Sequence, residues 1–284
     1  MRTSSHPPFQ YPRALSIAGS DSGGGAGVQA DLKTFAALGC HGMTAITALT
    51  AQNTLGVRSI HPVPAAFVQA QIEAVAEDIG VDAIKIGMLH SAETVRVVAR
   101  TIERFAFRHV VLDPVMVASS GEQLMEDATV AALVDELFPL VTLVTPNLDE
   151  ATRLLGRPVR GLGDLERACT ELLALGAPAV LLKGGHLAGA ELVDVLAQAG
   201  TGTEEWLRLS GPRIHSRNLH GTGCTLSAAV AGFLAQGLAL DEAVRRAHAY
   251  TRKAIETGVD VLTGAGQGPL NHGHAPMSMQ RHRR

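Results

Sequence analysis

A chain of 284 residues exceeds the usual single domain and approaches the size at which one core stops growing, so one large domain is expected. Residues of the AVILMFWYC set make up 46% and charged residues 18%, which excludes global disorder, and 4% aromatics exclude an aromatic nucleic-acid platform. Lys and Arg number 24 against 27 Asp and Glu, a formal charge of −3, so no basic footprint for nucleic acid is present.

The opening stretch MRTSSHPPFQYPR has no apolar signal-peptide core, and residues 1–12 read as a disordered tail. Short apolar runs then recur at Ala14–Ala18, Met43–Leu49, Ala83–Ile86, Val110–Leu112, Val141–Val144 and Ala179–Leu182. Each predicts a strand buried on both faces. Between them, Phe67, Ile72, Val75 and Ile79, and then Val95, Val98, Ala99, Ile102 and Phe105, follow a helical period. The apolar run from Leu226 predicts a buried helix, too short and too interrupted to span a membrane. Strands alternating with helices predict one α/β domain, residues 13–274, with a mostly parallel sheet covered on both sides. The patterning fades from about Ala265, and residues 275–284 read as a flexible tail. Cys40, Cys169 and Cys224 are too few and too scattered for a disulfide framework or a structural zinc site. A cytoplasmic protein without membrane partners is expected.

In parallel α/β sheets ligands bind beyond the carboxyl ends of the strands. The first such loop, Gly19 to Gly27, holds five glycines in nine residues before a helical stretch. It suits close approach of a ligand to bare main chain, yet matches neither G-x-G-x-x-G nor the P-loop. Gln52, after the second strand, offers a donor and an acceptor on one amide. Asp113 ends the LDP strand. Asn147 and Glu150 of TPNLDE form either a helix capping box or, with Asp113, an acidic pair suited to water-shelled Mg²⁺. Lys183 follows a buried strand and suits a phosphate. Finally His220-Gly-Thr-Gly-Cys-Thr225 opens the long apolar helix. Free amides at a helix start make an anion site, and the thiol of Cys224 is expected to have a lowered pKa there.

These stretches, in this order, resemble the ribokinase superfamily, and within it the hydroxymethylpyrimidine and phosphomethylpyrimidine kinases of thiamine biosynthesis. AGSDSGGGAGVQADLKTFAALG, ITALTAQNTLGV, KIGML, VVLDPVM, TPNLDEA, LLKGGH and HGTGCTLSAA carry the resemblance, which runs from about residue 14 to 274. The superfamily's anion-hole motif ordinarily ends in Asp; here it ends in Cys224. The resemblance implies a ribokinase-like three-layer α/β/α fold, a homodimer, and ATP with Mg²⁺. It implies that Gln52 binds an aminopyrimidine, with Ala26, Met88, Val115 and Asp31 around it. Gly221, Thr222, Gly223 and Cys224 would form the catalytic anion hole. Lys183, Asn147 and Thr222 would meet the nucleotide, and Glu150 and Asp113 the metal. The expected activity is phosphorylation of 4-amino-5-hydroxymethyl-2-methylpyrimidine and then of its monophosphate. A pyridoxine or pyridoxal kinase is the nearest alternative. A non-catalytic nucleotide- or ligand-binding protein would be expected to lose Glu150, Lys183 or the anion hole, and all are present.

Overall fold

The computed structural model describes residues 8–116, 125–185 and 189–283. Strands β1 (Phe9–Gln10) and β2 (Arg13–Ala18) lead through the glycine loop to α1 (Gly27–Ala37). Then come β3 (His41–Ile46), the hairpin β4 (Ala48–Asn53) and β5 (Gly56–Pro62), and α2 (Ala65–Asp78). β6 (Ala83–Ile86), α3 (Ala92–Phe105), β7 (Val110–Leu112) and α4 (Asp127–Ala132) follow. Next are β8 (Leu143–Val144), α5 (Leu148–Leu155), α6 (Leu165–Ala174) and β9 (Ala179–Leu182). The chain closes with β10 (Glu191–Gln198), β11 (Leu207–Pro212), α7 (Thr222–Ala235), α8 (Leu240–Glu256) and β12 (His282–Arg283).

Eight strands form the central sheet in the order β11-β10-β9-β8-β7-β6-β2-β3. From β3 to β9 the pairing is parallel; β10 and β11 add an antiparallel edge. Successive strand residues face opposite layers, so each strand feeds two cores. Leu15, Ile17, Ile84, Ile86 and Leu112 pack with Ile72, Val98 and Leu172 on one side. Ala14, Ala83, Val111 and Leu181 pack with Phe35, Val230 and Val244 on the other. This is the three-layer α/β/α arrangement expected, and every apolar run named above contains a strand. Met43–Leu49, however, is divided at Thr47. That buried residue donates its N–H to Ala18 O (3.0 Å) and its hydroxyl to Met88 O (2.6 Å), and β4 leaves the main sheet to pair with β5. Val141–Val144 narrows to the two residues of β8.

The chain ends also depart from expectation within the described residues. β1 pairs antiparallel with β12, and the Arg281 guanidinium lies 4.2 Å over the Phe9 ring. Met277 and Gln280 donate to Ala37 O and Gly39 O. The stretch after Ala265 is knitted in as well, with Leu270 and His272 buried. Backbone hydrogen bonding and an aromatic–cation contact hold segments whose side-chain pattern has no period. Among the described residues no helix is long and apolar enough to cross a membrane.

Candidate active site

The carboxyl ends of the parallel strands and the start of α7 converge on one cleft of about 620 Å³. The glycine loop leaves β2, and Ala26 closes it at the edge of α1. Met88 follows β6, Asp113 and Val115 follow β7, Asn147 follows β8 and Lys183 follows β9; all line this cleft. Gln52 reaches it from the hairpin, and Gly221, Thr222, Gly223 and Cys224 from the first turn of α7. His186, part of the motif that follows β9, lies outside the described residues.

Gly221 caps α7 with φ +85°, and a Cβ there would collide with the carbonyl of Gly25. Only glycine tolerates both the left-handed backbone and that contact. The two glycine-rich loops therefore touch main chain to main chain. Of the expected anion-hole amides, that of Thr222 is already engaged by Leu219 O at 3.2 Å, and its hydroxyl by the same oxygen at 2.7 Å. The helix geometry leaves the main-chain N–H groups of Gly223 and Cys224 for a ligand.

Asn147 and Glu150 make the full capping box. Asn147 Oδ1 accepts from Glu150 N (2.9 Å), and Glu150 Oε2 accepts from Asn147 N (2.8 Å). The same carboxylate faces the cleft 3.9 Å from Lys183 Nζ, so cap and site coincide. Burial, reinforced by Asp113, pushes the Glu150 carboxyl up to about 7 despite the opposing Lys183. Lys183 Nζ donates to Asp113 Oδ1 at 2.9 Å, and Thr145 and Ser227 hydroxyls also reach that carboxylate. Burial alone would lower the Lys183 pKa; Asp113 and Glu150 outweigh it and hold the ammonium charged. Two carboxylates beside an ammonium suit a divalent ion held largely by water and phosphate oxygens. Among the described residues no group of three or more His, Cys, Asp or Glu could cage a metal unaided.

Two expectations fail. Asp31 does not line the cleft: it is fully buried, accepting from Lys85 Nζ (2.8 Å) and Ser16 Oγ (2.6 Å). It balances the equally buried Lys85, which does reach the cleft floor. The Cys224 thiol is pushed up to about 11 rather than lowered. Burial is the largest cause; the Lys85 ammonium opposes it, and Asp31 and Asp113 add to it. Desolvation and two carboxylates thus outweigh the helix start.

The family model for phosphomethylpyrimidine kinase matches residues 21–271. The chain belongs to that family. It is 51% identical over 262 residues to the hydroxymethylpyrimidine/phosphomethylpyrimidine kinase of Rhizobium meliloti (strain 1021), covering 92% of this chain and 97% of that one. The thiamine biosynthesis bifunctional protein ThiED of Geobacter sulfurreducens is 49% identical, over 93% of this chain but 53% of its own. Among solved structures, the phosphomethylpyrimidine kinase of Clostridium difficile 630 superposes with a TM-score of 0.75 at 40% identity, over 86% of this chain and 99% of that one. An ADP complex of Bacillus subtilis pyridoxal kinase gives 0.84 at 36% identity, over 93% and 98%.

Sequence reasoning missed the hub of the site. Asp21 accepts from the N–H groups of Gly23 (2.8 Å), Gly25 (2.9 Å) and Ala26 (2.8 Å), and contacts His220 Nε2 at 2.9 Å. Burial alone would raise its pKa; the donors from His220, Ala26 and Gly23 outweigh it and hold it below the ordinary value. His220 Nε2 also lies 3.3 Å from Gln52 Nε2. A carboxylate only accepts, so the ring N–H goes to Asp21 and that nitrogen cannot accept from the Gln52 amide. Asp194 of β10 was missed too; it accepts from Gly184 N at 2.8 Å and steadies the turn after Lys183. Spacing could not signal either contact, because Asp21 and His220 are 199 residues apart.

Proposed function

We propose that this protein transfers the γ-phosphoryl group of ATP to the hydroxymethyl oxygen of the aminopyrimidine alcohol, and then to a phosphate oxygen of the resulting monophosphate. ADP leaves at each step. The observation that carries the reading is the arrangement of Gln52 and the Gly223–Cys224 turn beside Lys183 around one cleft. A planar aminopyrimidine edge offers a donor next to a ring-nitrogen acceptor, which one glutamine amide can match. Ala26, Met88 and Val115 would wall the ring.

Phosphoryl transfer passes through a loose transition state, so positioning and charge stabilisation dominate. The main-chain N–H groups of Gly223 and Cys224 face the developing negative charge at a helix start. Lys183, kept charged by its two carboxylates, adds a point charge near the nucleotide phosphates. Glu150 and Asp113, with Asn147 adjacent, would hold Mg²⁺ through water and phosphate. Bound there, the ion would neutralise phosphate charge. Cys224, a neutral thiol at pH 7, places no fixed charge against the incoming monophosphate.

A second reading, a pyridoxal kinase, is favoured by the 0.84 superposition on pyridoxal kinases. ATP turnover with the pyrimidine alcohol, its monophosphate and pyridoxal in parallel tests both. Turnover of both pyrimidines is expected; turnover of pyridoxal alone would replace the assignment. We further assign a cytoplasmic homodimer, checked by fractionation and sedimentation.

A further inference from the structure

The stretch after Ala265, which has no side-chain period, forms a strap across the start of α7. His220 N donates to Gly268 O (3.1 Å), Gly268 N donates to Arg217 O (3.2 Å), and His220 bridges Pro269 in parallel register. Three residues on, His272 is buried, and its Nε2 lies 3.0 Å from Thr225 Oγ in α7. Tyr250 of α8 anchors the strap by donating its hydroxyl to His272 O at 2.6 Å.

A hydrogen count orients this contact. Thr225 Oγ has one hydrogen and sits 2.8 Å from the carbonyl of Gly221, an acceptor only. That hydrogen is shared between the Gly221 carbonyl and His272 Nε2, which together fix the Thr225 rotamer. Burial and the Lys33 charge hold the imidazole near a pKa of 4, leaving the ring neutral, and its single hydrogen goes to the backbone of Leu270, so Nε2 accepts from Thr225. The Gly221 carbonyl accepts twice, from Thr225 N and Thr225 Oγ, both at 2.8 Å. That carbonyl belongs to the rigid peptide plane between Gly221 and Thr222. Holding it holds the left-handed turn at Gly221, from which the N–H groups of Gly223 and Cys224 take their direction.

We propose that His272 is a positioning residue for phosphoryl transfer: acting through Thr225 and the Gly221 carbonyl, it aims the main-chain donors at the start of α7. This rests on the reading of that turn as the anion hole. His272 and Thr225 are buried and do not line the cleft, and only Gly221 of the three reaches it, so their loss affects the chemical step rather than binding.

The test uses the full-length enzyme, assayed on whichever of the pyrimidine alcohol or pyridoxal the wild type turns over. Failure of the substrate assignment therefore shows in the wild type, and failure of this proposal only in the variants. His272→Phe removes the ring-nitrogen acceptor at similar volume and should lower kcat on the order of 10- to 100-fold, with KM for both substrates and the melting temperature little changed. His272→Gln, which restores a polar acceptor toward Thr225, should recover most of the loss. Thr225→Val should match His272→Phe, and the double variant should be no worse than either single one, as for residues acting in series. An unchanged kcat in His272→Phe, or losses that multiply in the double variant, would overturn the proposal. Should His272→Phe not fold, Thr225→Val decides alone, and a normal kcat there is equally fatal.

Discussion

Gln52 shows how a single hydrogen decides what a residue can do. Its Nε2 lies 3.3 Å from His220 Nε2, whose N–H points to Asp21 and so offers the amide no acceptor, while Gln52 Oε1 accepts from the Thr50 hydroxyl at 3.3 Å. Gln52→Ala should weaken pyrimidine binding about tenfold to hundredfold, the equivalent of roughly 1–3 kcal/mol for a lost buried partner. ATP affinity should be unaltered, and calorimetric titration of each ligand checks both halves. Gly223 has its own constraint: a Cβ would stand 3.2 Å from Lys183 Nζ and 3.4 Å from Asp113 Oδ2. Gly223→Val would wedge between donor turn and ammonium, and should cut turnover steeply in a folded protein. At Cys224 the neutral thiol matters because the second acceptor is anionic. A carboxylate there would oppose the monophosphate by about 1–4 kcal/mol at ~4 Å, for effective dielectrics of 80 to 20. Cys224→Asp should therefore keep or improve phosphorylation of the alcohol and impair that of the monophosphate. Equal loss in both steady-state rates would refute this account. That the glycines, Gln52, Lys183 and Cys224 would meet at one cleft was legible because loop chemistry after a buried strand is local information. Asp31 misled because a carboxylate on α1 near the glycine loop gives no sign that Lys85, 54 residues away, turns it inward.

Among the elements, α5 puts a helix cap and a cleft-facing charge on one carboxylate. Glu150 closes the capping box, a pattern readable from TPNLDE, yet its pKa of about 7 arises from burial and from Asp113, which no local pattern reveals. The folded pKa exceeds the ordinary value, so the charged form is the costly one. Glu150 thus favours the fold fully below its unfolded pKa, and that contribution disappears as pH rises through about 7. Glu150→Gln keeps the cap and removes the charge. It should raise the melting temperature of the ligand-free enzyme at pH 8, show no gain at pH 5, and lose MgATP-dependent turnover. The β2–α1–β6 unit depends on another ionic pair. Lys85→Met would strand Asp31 without its partner and should destabilise by about 3–5 kcal/mol in denaturant melts, as is typical of broken buried pairs. Lys85→Met with Asp31→Leu should recover much of that loss. A double variant as unstable as the single one would mean that the pair's neighbours, Ser16 among them, set the stability.

For the molecule as a whole, the parallel core was legible because strands covered on both faces must be apolar throughout, and short aliphatic runs say so. The hairpin strand β5 (GVRSIHP) and β10 (ELVDVLAQ), next to the edge strand β11, were not, since solvent covers part of each and mixed residues satisfy them. The terminal ribbon was hidden for a related reason: β1 and β12 are two residues each, and only their meeting makes them strands. That meeting has an architectural consequence. β1 enters β2 at its amino end, whereas the cleft opens at the carboxyl ends, so the described ends of the chain, Phe9 and Arg283, lie on the side of the molecule away from the mouth of the cleft. A second enzyme could be spliced onto either end without shading the mouth, which accords with a 49% identical relative of roughly twice the length being a bifunctional protein. Joined to each other by a short linker, the same two ends would also close the chain into a ring, from which permuted versions could be opened elsewhere on the surface.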